Sequence, residues 1–96
     1  MAAIKFYDEI TSSNINSITQ MASGLTGLLL KIVLVNPTGN NSTFKLYKNN
    51  SHLYLYEKLA PGTSKVINLE IPITDEIISF EGDTLGTFIT LVFLEN

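Results

Sequence analysis

Few side chains in this sequence could do chemistry. His52 is the only histidine. A general base needs a partner held within hydrogen-bond reach, and no nucleophile motif lies near it, so it reads as a solvated turn residue. Carboxylates gather at Asp75-Glu76 and at Glu81-Gly82-Asp83. These are the only reasonable metal donors, but calcium takes about six to eight oxygens at a characteristic spacing, and that spacing is absent. Acids at turns hydrogen-bond their own backbone and stay in water. A glycosidase built on paired carboxylates is disfavoured, because 96 residues leave little room for a substrate cleft. Gly24 and Gly27 lead into a strand and form no phosphate-binding loop. With no cysteine, disulfides and thiolate metal sites are excluded. The sequence predicts a protein that is not an enzyme and carries no cofactor or metal.

What remains is surface. Tyr47, Tyr54 and Tyr56 fall opposite the leucines of their own segments. Paired in a hairpin, they could form an aromatic patch that binds protein or stacks on sugar rings, since tyrosine offers much contact area and keeps a hydroxyl. The equal alternative is that they stiffen the polar face of a hairpin by cross-strand pairing. Ile4, Phe6 and Tyr7 lie in an N-terminal segment that could reach a neighbour. These six residues are the candidate partner-binding set.

Composition narrows the partner. Nine acids against six lysines give a net charge of −3, and arginine is missing altogether. Arginine is the residue favoured for bidentate phosphate and base contacts, so its absence argues against a nucleic-acid partner. Lys5, Lys31, Lys45, Lys48, Lys58 and Lys65 make no run, which leaves recruitment to a membrane surface without support. The apolar run Leu28–Val35 is interrupted by Lys31 and too short to span a bilayer. Met1–Phe6 lacks the apolar stretch of a signal peptide. The sequence therefore reads as a soluble protein made without a secretory signal. Its charged fraction of 16% leaves a neutral polar surface, a hint of coverage by other subunits.

The elements that must position these residues are strands. Helical periodicity is hard to find, while β-branched and aromatic residues recur in short runs between turns. Leu25–Val35 is apolar on both parities, as for a strand covered on both faces. Asn36–Asn41 breaks it. Thr43–Lys48 and Leu53–Leu59 alternate and read as a hairpin. After the turn Ala60-Pro61-Gly62-Thr63 come Lys65–Ile73, a short Glu76–Phe80 and a last strand, Leu85–Leu94. Pro72 lacks an amide hydrogen and belongs at an edge or a strand end. The first and last of these strands are expected to be central and to pair. This pattern predicts an all-β, antiparallel β-sandwich over residues 25–96, jelly-roll or immunoglobulin-like. Residues 1–24 would be an arm or an extra edge strand, with Ile4–Ile10 as a strand candidate and Ile15–Met21 as a short strand or one helical turn.

The order of motifs carries a resemblance: Leu28–Asn36, then Ser42-Thr43-Phe44-Lys45-Leu46-Tyr47-Lys48, then Leu59-Ala60-Pro61-Gly62-Thr63-Ser64, then Val66–Ile71, then Phe80-Glu81-Gly82-Asp83-Thr84-Leu85, then Phe88–Glu95. Over residues 25–95 it resembles small β-sandwich virion proteins of tailed bacteriophages, which serve as capsid decoration, neck or tail components. The resemblance implies a structural protein of the virion, present in several copies or as a homo-oligomer. Its partners would be other virion proteins, such as the major capsid or tail and neck proteins. A carbohydrate-binding or adhesin-like module using the tyrosine face is the alternative.

Overall fold

The computed structural model describes residues 3–96. Its six strands are β1 (Ala3–Ile10), β2 (Thr19–Asn36), β3 (Ser42–Lys48), β4 (His52–Leu59), β5 (Thr63–Gly82) and β6 (Phe88–Glu95). Every pairing is antiparallel, and the hydrogen-bonded order is β1-β6-β2-β5-β3-β4.

One continuous sheet makes both layers of the sandwich because β2 and β5 run from one layer into the other. Residues 27–35 of β2 pair with β6, whereas β3 pairs only with residues 78–82 of β5. One layer is thus β1, β6, the second half of β2 and the first half of β5. The other is the first half of β2, the second half of β5, β3 and β4. Register shifts between Ala22, Leu25 and Gly27 mark the corner in β2. The chain is left-handed there at Gly24 (φ 65°) and, facing it in β5, at Asp75 (φ 48°). The Asp75 amide is held by the Thr26 hydroxyl at 3.0 Å. Bulges of this kind bend a strand and let it change sheets.

The core lies between the layers. Leu29, Ile32, Leu34, Ile89, Leu91 and Phe93 fill it from one side, and Phe44, Leu46, Ile78 and Phe80 from the other. Phe44 and Phe80 meet with ring centroids 6.2 Å apart. Every buried side-chain polar atom among the described residues has a hydrogen-bond partner.

Several sequence boundaries move. Lys65–Ile73 and Glu76–Phe80 are one strand, because Pro72 sits opposite Leu28 where β5 is an edge, and an edge tolerates a missing donor. The strand expected from Leu25 begins at Thr19, so a boundary at residue 24 falls inside β2. The last strand starts at Phe88 and not at Leu85, since Asp83–Thr87 is a turn closed by Thr87 donating to the Thr84 carbonyl. Ala3–Ile10 is an edge strand on β6, in unbroken register from Ala3–Glu95 to Ile10–Phe88. Met1 and Ala2 lie outside the described residues.

Candidate functional site

The outward face of the β1-containing layer is apolar in rows that cross the strands. Register places Ile4, Leu94, Leu28 and Pro72 in one row, and Phe6, Val92 and Lys31 in the next. Asp8, Thr90, Val33 and Val66 follow, then Ile10, Phe88, Val35 and Ser64. Alternation explains the face: in β2 and β6 the inward neighbours of these residues are Leu29, Ile32, Leu34, Ile89, Leu91 and Phe93 of the core, and in β1 they are Lys5, Tyr7 and Glu9. Strands apolar on both parities therefore cover the core with one set and present the other to solvent. Phe6 is 66% exposed, Ile4 51%, Ile10 54% and Val66 53%. Polar breaks are Lys31, which Asn68 of β5 opposes, and Asp8, which accepts a 2.5 Å hydrogen bond from the Thr90 hydroxyl. A shallow hollow beside it is lined by Ile10, Phe88, Asp8, Thr90 and Glu9.

The structure gathers only part of the tyrosine set. Tyr47 and Tyr56 share the outward face of the opposite layer. Tyr56 is half exposed, with the Lys45 ammonium 5.8 Å from its ring centroid, and the Tyr47 hydroxyl donates to Glu81 at 2.9 Å. Tyr54 does not join them. The β3–β4 register slips between Leu46–Leu55 and Tyr47–Leu53, leaving Tyr54 as the unpaired residue of a bulge. Its ring packs on the core and its hydroxyl donates to Glu76 at 2.9 Å. Exposed Leu53 takes the place opposite Tyr47 that simple alternation gave to a tyrosine. Tyr7 points inward at the sandwich rim, 3.4 Å from Glu95, so of the N-terminal trio only Ile4 and Phe6 lie on the outward face.

The acids hold turns and strand ends. Glu76 is buried and paired with Lys48 at 2.8 Å. Asp83 accepts from the Thr43 amide (2.8 Å), the Thr84 hydroxyl (2.9 Å) and the Ser42 hydroxyl (3.4 Å). Burial alone would raise its carboxyl, but these donors outweigh it and hold the group below its ordinary value. His52 is exposed at the start of β4, with Tyr54 edge-on at 6.0 Å. Among the described residues no three acids or histidines converge as a metal cluster.

Tyr54 makes a pH prediction. Burial, then the hydrogen bond and charge of Glu76, push its phenol up from 10.0 to about 12. A group raised on folding stabilises the protein fully below its unfolded value and loses that contribution as pH rises through the folded one. Urea midpoints should therefore fall between pH 10 and about 12, and Tyr54→Phe should flatten that fall. An unchanged alkaline limb in Tyr54→Phe would show that another group sets it.

The fold and this face together define a small antiparallel β-sandwich with one apolar outer sheet. No protein-family model matches the sequence, and no curated protein matches it. Among solved structures the chain is similar to part of dimeric latent PorU from Porphyromonas gingivalis, at 11% identity and a TM-score of 0.41, over 97% of this chain and 10% of that one. The chain thus spans about a tenth of the length of PorU.

Proposed function

We propose that this chain is a non-enzymatic structural protein that docks its apolar outer sheet face onto other proteins. The setting suggested by its motif order is the virion of a tailed bacteriophage, as a capsid decoration, neck or tail component. The observation that carries the docking role is the row pattern itself. Ile4, Phe6, Ile10, Phe88 and Val66 stand exposed on one sheet face, with Asp8, Thr90 and Lys31 between them, and large apolar side chains gathered on one face among polar ones fit an interaction site. The acids of the opposite layer are engaged in hydrogen bonds and an ion pair that hold turns and strands, which suits a scaffold better than a catalyst.

Particles of the encoding phage, purified and analysed by mass spectrometry, should contain the chain at a fixed copy ratio. The double variant Val66→Ser/Phe88→Ser should still fold, at a cost of about 2–3 kcal/mol of unfolding free energy, because Val66 is 53% and Phe88 37% exposed and neither belongs to the buried core. Its incorporation should fall by about 30-fold, the loss of roughly 2 kcal/mol at an interface centre. Absence of the chain from particles, or glycan binding that Tyr56→Ala abolishes, would overturn the reading. The latter would place function on the tyrosine face instead.

A further inference from the structure

The sheet has open edges, and they are not alike. The first half of β5 carries Pro72 and Lys65. Edge strand β4 is bulged at Tyr54, and the first half of β2 is broken by register shifts around Gly24. Proline, lysine and bulges are the devices by which edges avoid pairing with other chains. β1 has neither proline nor glycine, and its register on β6 shows no shift over Ala3–Ile10. Among the described residues nothing pairs with its other side.

The direction of its free groups follows from the ladder. The Thr11 amide donates to the Thr87 carbonyl at 2.8 Å, and on the far side of β6 the Asn96 amide donates to the Thr26 carbonyl at 3.1 Å. Antiparallel ladders alternate, so Lys5, Tyr7 and Glu9 turn their backbone toward β6. Ile4, Phe6, Asp8 and Ile10 turn theirs to the open edge.

We propose that this edge pairs antiparallel with β1 of a second copy of the chain, about a two-fold axis at Tyr7. A two-fold axis perpendicular to the sheet keeps side chains on their own face, so residues of like parity must oppose one another. Centred on Tyr7, Ile4 meets the partner's Ile10, Phe6 meets the partner's Asp8, and Lys5 meets the partner's Glu9. Opposite charges directly across a ladder stabilise it, and like charges destabilise it. Centring on Phe6 instead would set Ile4 against the partner's Asp8 and leave Lys5 facing the partner's Tyr7, without a counter-charge. Lys5 thus plays two parts. An inward-pointing charge at an edge deters unrelated strands, and a second copy supplies Glu9 to neutralise it. Pairing would also join the two apolar outer faces across the axis, which goes beyond the docking role proposed above and does not depend on it.

The absence of cysteine makes a direct test possible. In the full chain, Tyr7→Cys should cross-link to itself under mild oxidation. Directly opposed residues of a non-hydrogen-bonded pair have Cα atoms about 4.5 Å apart, within disulfide range. Phe6→Cys, which faces a different residue of the partner, should cross-link at least about tenfold more slowly. By sedimentation across micromolar to millimolar concentrations, the unmodified chain should dimerise. Lys5→Glu should weaken the dimer about tenfold through like charges at both ends, and Lys5→Glu/Glu9→Lys should restore it. Circular dichroism confirms that each variant is folded. A chain monomeric throughout, equal cross-linking at both cysteine positions, or failure of the double swap to restore what Lys5→Glu removes would overturn the proposal.

Discussion

Gly27→Ala is expected to lower the thermal midpoint by about 20 °C or more, or to abolish the cooperative transition. Gly27 lies where β2 enters the layer it shares with β6, opposite Glu95 on one side and Ile73 on the other. Its φ is 155°, and a Cβ there would stand 2.0 Å from the Leu94 carbonyl oxygen and 3.1 Å from the Glu95 Cα. Those are backbone atoms of a central strand, which cannot swing aside as a lysine tip could. Relief requires β2 and β6 to separate, and that breaks ladder hydrogen bonds beside the core. Backbone strain of about 1–3 kcal/mol with two or three lost hydrogen bonds at about 1 kcal/mol each gives roughly 4 kcal/mol. A domain of this size has about 5–15 kcal/mol in all. Two other glycines calibrate the result. Gly39→Ala meets nothing within 4 Å and should be silent. Gly62 also faces open space but has a φ of +69°, so its alanine variant should cost about 1 kcal/mol. Thermal unfolding followed by circular dichroism separates the three. A Gly27→Ala midpoint equal to that of Gly39→Ala would show that the approach of β2 to β6 is not as close as described.

The sequence carried the strands well and their continuity poorly, for a definite physical reason. Alternation is a local signal, and it marked Thr43–Lys48 and Leu53–Leu59 within a residue of β3 and β4. It also made Leu25–Val35 and the last strand central, and they pair as β2 and β6 over Gly27–Val35. At Pro72 and Asp75 the local signal says stop. The chain instead turns a corner there, where the Thr26 hydroxyl of the neighbouring strand holds the amide of a left-handed Asp75. Nothing in the one-dimensional pattern records that neighbour. The tyrosine set failed to gather for a related reason. Tyr54 and Tyr56 share parity, but a bulge resets parity, and this one is tied to Glu76, far along the chain. The exposed face of β1, β6 and β2 was legible only in part. Strands apolar on both parities read as covered on both sides, and Ile4 and Phe6 stood out as contact candidates. Assembly of their rows with Phe88 and Val66 needed the strand order β1-β6-β2-β5.

Asn36 supplies the other large effect, and one that sterics do not explain. It ends β2, is 0% exposed, and was readable from sequence only as the first residue of a turn. Its amide nitrogen, with two protons, lies within hydrogen-bond reach of three carbonyls, those of Asn40 (2.8 Å), Leu59 (3.2 Å) and Ala60 (3.2 Å), so one proton is shared. Its side-chain oxygen accepts from the Thr38 amide (3.1 Å) and hydroxyl (2.6 Å). One side chain thereby ties the end of β2 in one layer to the end of β4 in the other and holds the loop between β2 and β3. Asn36→Ala should cost about 4 kcal/mol, from several net hydrogen bonds of about 1 kcal/mol each and from carbonyls left buried without a donor. Asn36→Asp keeps the shape and removes the donor, so it separates hydrogen bonding from packing. The introduced carboxyl would face carbonyl oxygens in a dry site, which raises its folded pKa above the ordinary value of about 3.9. By linkage, the variant is most stable below that ordinary value and loses stability as pH rises through the raised one. Urea unfolding of Asn36→Asp should therefore show a midpoint that declines from acid toward neutral pH, relative to the parent at each pH. At neutral pH it should be at least as unstable as Asn36→Ala. If Asn36→Asp tracks the parent across that range, the cross-layer tie is not made by the amide donor, and the closure of this end of the sandwich rests on Leu59 packing alone.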